Sequence, residues 1–154
     1  MIRDTEELLL AIRDVLVDSL NARIVAINTE KGDSALDQVP CATAQNIADH
    51  FRFSISELPN KDPFVNIALE KLRSDANGDC SAVMATVVVE LVFRDKNKGN
   101  EYLKSLRYTR AIKEALESQA LELGLTLEEL IPVTVDTGGV SILVGGVKAS
   151  ISFA

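Results

Sequence analysis

The chain has little of what small proteins use for chemistry. It carries one histidine, His50, and two cysteines, Cys41 and Cys80, in 154 residues. Any Ser-His or Cys-His arrangement would have to use that single histidine, and no Ser, Cys or Thr has a base beside it in sequence. Metal ligands normally cluster, yet His50 has no Cys or carboxylate at ligand spacing. Catalytic, metal and cofactor residues are therefore expected to be absent, and the chain is not read as an enzyme. The cysteines are far apart and are read as plain thiols. A chain of this size buries roughly 70% of the surface its unfolded form exposes, so no disulfide is needed to fold it.

Blocks of basic residues are missing too. Against 23 Asp and Glu stand only 16 Lys and Arg, a net charge of −7, so a phosphate backbone is repelled and direct DNA binding is disfavoured. Such acidity suits a wall that nucleic acid slides past, and it equally keeps a protein soluble. Long apolar runs are absent: Arg3, Asp4, Glu6 and Glu7 interrupt any leader, and nothing approaches the length of a membrane span. Synthesis in a reducing cytosol, with no membrane partner, is the expectation. The pairs Gly138-Gly139 and Gly145-Gly146 lack a following helix, so they are not phosphate loops and are expected at hairpin turns or a bulge. Alternate carboxylates at 74–79 resemble part of a calcium loop, but apparent strands flank them, and Asn77-Gly78 marks a hairpin turn.

The remaining residues spell out an α+β domain spanning 1–154, 47% hydrophobic and 25% charged. Asp4 precedes Glu6, Glu7 and an apolar series, so it is expected to cap a helix with Glu7 closing a capping box. Leu9, Ile12, Leu16, Leu20, Ile24 and Ile27 recur at steps of three and four, which predicts one helix from Thr5 to about Glu30. At roughly 40 Å it is long enough to project past its own core. Arg13 and Arg23 fall in its apolar stripe, whereas Leu10, Val17 and Val25 fall on the polar side and are candidate contacts for a neighbouring subunit.

No periodicity survives between Gly32 and Asn46, where a loop or loosely ordered arm is expected. Strands are predicted over 50–57, 64–70, 81–94 and 131–136, with two more around Gly145-Gly146. The longest, 81–94, is apolar on both faces and is expected to be central, so Met84 and Val88 join the candidate interface. A second helix is predicted with Leu106, Thr109, Ile112, Leu116, Ala120 and Leu123 buried and Gly124 as its cap; Thr126 is expected to start one further helical turn to Leu130. The sum is a mixed, mainly antiparallel sheet of about four to five strands, with a long N-terminal helix and a second helix packed on one face.

This order of elements resembles the tail terminator (tail completion) proteins of tailed bacteriophages. The resemblance rests on Leu20-Asn21-Ala22-Arg23-Ile24-Val25-Ala26-Ile27-Asn28-Thr29-Glu30-Lys31-Gly32-Asp33 ending the first helix and on Pro63-Phe64-Val65-Asn66-Ile67-Ala68-Leu69-Glu70. It continues in the long strand from Ala82 to Phe93 and the helix from Tyr102 to Leu116, and so spans almost the whole chain. Residues 37–49 differ from it, with more chain before the first strand. The resemblance implies a virion structural protein of the tail and neck: a homo-hexameric ring that caps the tail-tube protein, stops its growth and docks a head-tail connector protein, with DNA passing through the lumen. A head-tail connector or stopper, or a cytosolic assembly chaperone or protein-binding module, would fit the same composition.

Overall fold

The computed structural model describes residues 2–32, 38–47, 63–74, 83–95, 101–137 and 140–153. Two α-helices, α1 (Thr5–Lys31) and α2 (Glu101–Leu123), pack on one face of a four-stranded sheet of β1 (Phe64–Ser74), β2 (Val83–Asp95), β3 (Thr126–Thr137) and β4 (Val140–Phe153). The spatial order is β1-β2-β4-β3, and every neighbouring pair is antiparallel. The long strand is therefore central, flanked by β1 and β4. Alternation of residue type explains its two faces: Ala85, Val87, Val89 and Leu91 are buried beneath the helices, while Met84, Thr86, Val88 and Glu90 look to the other side.

Helix α1 starts where Asp4 caps it, its Oδ1 accepting from the Glu7 N–H at 2.9 Å. The capping box closes differently from expectation. The Glu7 carboxylate takes the Arg3 N–H (2.9 Å) and the Arg3 guanidinium, not the Asp4 amide. Gly32, at φ 64°, ends the helix in the left-handed conformation that glycine adopts without a Cβ clash, and Gly124, at φ 73°, ends α2 in the same way. Rather than projecting past the core, α1 is buried along its length through Leu8, Ile12, Leu16, Leu20, Ile24, Ile27 and Asn28. Arg13 is half-buried and Arg23 exposed.

The expected loose arm is instead strapped to α1 over residues 39–42. Asn28 donates Nδ2–H to the Val39 carbonyl (2.8 Å) and accepts the Val39 N–H on Oδ1 (3.2 Å). One heptad earlier, Asn21 does the same for Ala42, at 2.6 and 3.0 Å. Seven residues of helix and three of extended chain both span about 10 Å, so the two amides match the repeat of the strap, which runs against the helix direction. Tyr108 of α2 donates its O–H to the Pro40 carbonyl (3.2 Å), and Val39 and Ala42 are buried. The chain then makes a 3-10 turn at Ala44–Asn46 and bridges Ile47 to Val65 in parallel.

The strongest departure from sequence concerns Gly145-Gly146. They lie inside continuous β4, opposite Leu91 and Glu90 of β2 and Pro132 and Ile131 of β3, and not in a turn or bulge. A Cβ on Gly145 would stand 2.4 Å from Tyr108 Cβ, 2.6 Å from the Thr109 nitrogen and 2.8 Å from the Ser105 oxygen. Helix α2 thus sits directly on the β4 backbone, and the Gly146 N–H donates to Thr109 Oγ1 at 3.3 Å. The irregularities in register fall elsewhere, at Leu69/Lys71 in β1 and Leu127/Glu129 in β3.

The helical turn expected at 126–130 is strand: β3 begins at Thr126, paired with Ser150 of β4. Its local cap signal loses to ladder hydrogen bonds across the hairpin. The strand expected over 50–57, the turn at Asn77-Gly78 and the Gly138-Gly139 turn lie outside the described residues. The hairpins that those two turns imply do pair, closing to Ser74 opposite Val83 and Thr137 opposite Val140.

Candidate interaction surfaces

All five candidate interface residues reach the surface, on two opposite sides of the subunit. Leu10, Val17 and Val25 are exposed on α1, Val25 by 55%, on the side away from the core stripe. Leu10 and Val17, seven residues apart, lie almost in line along the helix, and Val25 stands about 80° round from Val17. Met84, 43% exposed, and Val88, half-buried, lie on the sheet face that the helices leave uncovered. Each set shares one side of the subunit, the helix layer for the first and the opposite sheet face for the second.

The uncovered sheet face also carries charge. Lys148 donates to Glu70 Oε1 at 3.1 Å, tying β4 to β1 across β2. Glu90 lies half-buried on the same face, and its carboxyl is pushed above the usual range, first by burial and then by Glu70. Phe64, Asn66 and Val92, at one end of this face, are buried.

A third surface escapes the predicted pattern. Leu106, expected in the core, is exposed, because the buried face of α2 is built from Lys104, Ser105, Tyr108, Thr109, Ala111, Ile112, Ala115 and Leu116. Leu106 stands about 120° round the helix from Ile112. With exposed Tyr102 and Leu103 it forms an apolar patch, and Leu103 and Leu106 line an open cleft of about 230 Å³ together with Ile27, Lys31, Arg107 and Arg110. Arg110 is held by Glu30 (2.7 Å) and Glu114 (2.8 Å), which fixes the end of α1 against α2. Farther along α2, Leu121 is 98% exposed. The leucines at 103 and 121, left over from the predicted core stripe, were the available signal for these patches.

Groups with chemical potential are placed structurally. Lys104 donates to Asp95 Oδ2 at 2.8 Å with both side chains at most 3% exposed, sealed between the end of β2 and the start of α2. Such a buried pair specifies how two elements meet and meets no solvent-borne substrate. Cys41 is exposed, but its thiol points to the Asn21 carbonyl (3.8 Å), and partial burial raises its pKa, which keeps it protonated. Among the described residues no three His, Cys, Asp or Glu side chains gather as a metal site would require. Of the imagined pocket joining His50, Glu57 and Glu70, the first two lie outside the described residues and Glu70 is engaged by Lys148. No helix among the described residues is long and apolar enough to cross a membrane.

The arrangement offers apolar contact surfaces backed by a rigid two-layer core. No protein-family model matches the chain, and no curated protein sequence matches it.

Proposed function

We propose that this chain is a tail terminator subunit of a tailed bacteriophage, a virion structural protein that acts by geometry. Copies form a six-fold ring on the last ring of tail-tube protein, halt tube growth, and present a docking surface to the head-tail connector. The observation that carries this reading is the pair of exposed apolar sets on opposite faces, Leu10, Val17 and Val25 on α1 and Met84 and Val88 on the open sheet. A subunit inside a ring and a stack needs different faces for its neighbours, and a cyclic ring is built from heterologous contacts. The element order and the residues of the resemblance support the same reading. A net charge of −7 would give a lumen that repels DNA and lets it slide.

Light scattering over a range of protein and salt concentrations, with and without purified tail-tube protein, tests it. Six copies, alone or induced by tube protein, are the expected mass. Val17→Asp and Val25→Asp should block assembly while leaving folding within about 0.5 kcal/mol of wild type, since both positions are exposed. A monomer under every condition would refute the ring and favour an assembly chaperone or binding module.

A further inference from the structure

Two rows on opposite sides of the subunit match in spacing and are opposite in charge. On α1, exposed Asp14 and Asp18 flank the row of Leu10 and Val17, within about 100° of it round the helix. Arg13 lies half-buried on the other flank, which gives the row one acidic side. On the uncovered sheet face, Lys71 and Arg73 of β1 pair with Thr86 and Met84 of β2 and share their face, because residues directly opposite in a ladder point the same way. Both are exposed, to one side of the row of Met84 and Val88. Among the described residues, Asp14, Asp18, Lys71 and Arg73 form no ion pair, whereas Glu70 and Lys148 of the same sheet face hold each other.

We propose that the α1 row of one copy lies on the open sheet face of the next, Leu10 and Val17 against Met84 and Val88, with Asp14 and Asp18 facing Lys71 and Arg73. The lengths agree. Leu10 to Val17 spans about 10 Å of helix and Met84 to Val88 about 13 Å of strand, while the two aspartates are about 6 Å apart along the axis and the two cations about 7 Å. Charge selects the partner: copies with a net charge of −7 repel one another over most of their surface, and a basic strip beside exposed apolar residues is where an acidic neighbour is attracted instead. Both halves of the match belong to this chain but lie on opposite sides of it, so they meet only between two copies. The contact is heterologous, so each copy keeps one row of each kind available, and the series closes into a ring or continues as a column. It deepens the proposed function and rests on it only for closure at six copies.

The test uses the full chain and three variants at these exposed positions, each checked for folding by its urea midpoint: Asp14→Lys with Asp18→Lys, Lys71→Glu with Arg73→Glu, and all four together. Wild type should self-associate, and more weakly as salt rises. Each pair of reversals alone should lower the association constant roughly tenfold or more, since like charges then face each other. An equimolar mixture of the two should regain it, because every altered row then has a neighbour of opposite sign. The fourfold variant, which keeps the net charge of −7, should associate like wild type. Undiminished association of either pair, no recovery in the mixture or the fourfold variant, or a wild type that stays monomeric throughout would overturn the contact. A six-copy ring indifferent to all four charges would overturn this contact and leave the ring reading standing. Charge-dependent growth to any other mass would uphold the contact and refute the hexamer.

Discussion

Replacing Gly145 with alanine probes the seating of α2 on the sheet. The new Cβ would stand 2.4 Å from Tyr108 Cβ and 2.6 Å from the Thr109 nitrogen, and neither atom can be moved by a rotamer change. Carbon atoms pack at about 3.5–4.0 Å, so α2 must retreat by roughly 1 Å, and a gap of that size forfeits a quarter to a half of each dispersion contact. With some 40 contacts per large side chain at about 0.1–0.2 kcal/mol each, the face of Tyr108 and Ile112 loses about 2 kcal/mol. The Gly146 to Thr109 hydrogen bond, already 3.3 Å long, adds about 1 kcal/mol. Reduced freedom of the unfolded chain returns about 0.4–1 kcal/mol. The net loss is about 2 kcal/mol, or roughly 4–8 °C in Tm for a domain of this size. Gly32→Ala is the control, since that site has a positive φ but nothing within 4 Å of a Cβ. Urea unfolding of both variants decides the matter: a Gly145→Ala loss no larger than that of Gly32→Ala would refute the close-approach argument.

Three further outcomes follow from buried or half-buried polar groups. Asn28→Ala removes both hydrogen bonds to Val39 and should cost about 2 kcal/mol, with faster proteolysis in 38–47 as a second readout. Lys104→Met leaves Asp95 buried without this cation and should cost about 3 kcal/mol or more, while Asp95→Leu combined with Lys104→Met should recover most of it by urea denaturation. Glu90 titrates higher when folded than unfolded, through burial and Glu70, so its protonated form is the one the fold prefers. Its contribution is fully present below the unfolded pKa and is lost as pH rises through the folded one. Glu90→Gln should therefore match wild type near pH 4 and gain in urea midpoint towards pH 7; a gap that is constant with pH would count against it.

Local signals gave up the elements that local physics decides. Asp4 and Gly32 mark the ends of α1 because caps act within one turn, and the period of two in β2 follows from a central strand with two faces. Exposure of Leu10, Val17 and Val25 was legible from the helical wheel for the same reason. Where a distant partner decides, sequence was silent or misleading. Thr126 and Glu129 imitate a helix start until β4 supplies a ladder. Gly145-Gly146 looks like a turn until α2 is laid on it. Asn21 and Asn28 read as ordinary helix residues until the 39–42 strap meets both amides. Leu106 fits a core stripe by its spacing from Thr109 and Ile112, but the buried face of α2 is the one that carries Tyr108 and Ala115. The cleft beside it could not be foreseen, since Ile27 and Lys31 come from the other helix.

The proposed role, ending a tail tube, is measured directly by tube growth. Purified tail-tube protein would be polymerised with and without the chain and imaged by negative-stain electron microscopy. Shortened tubes with a ring of added density at one end are the predicted result. Tubes of unchanged length with bare ends would contradict the account.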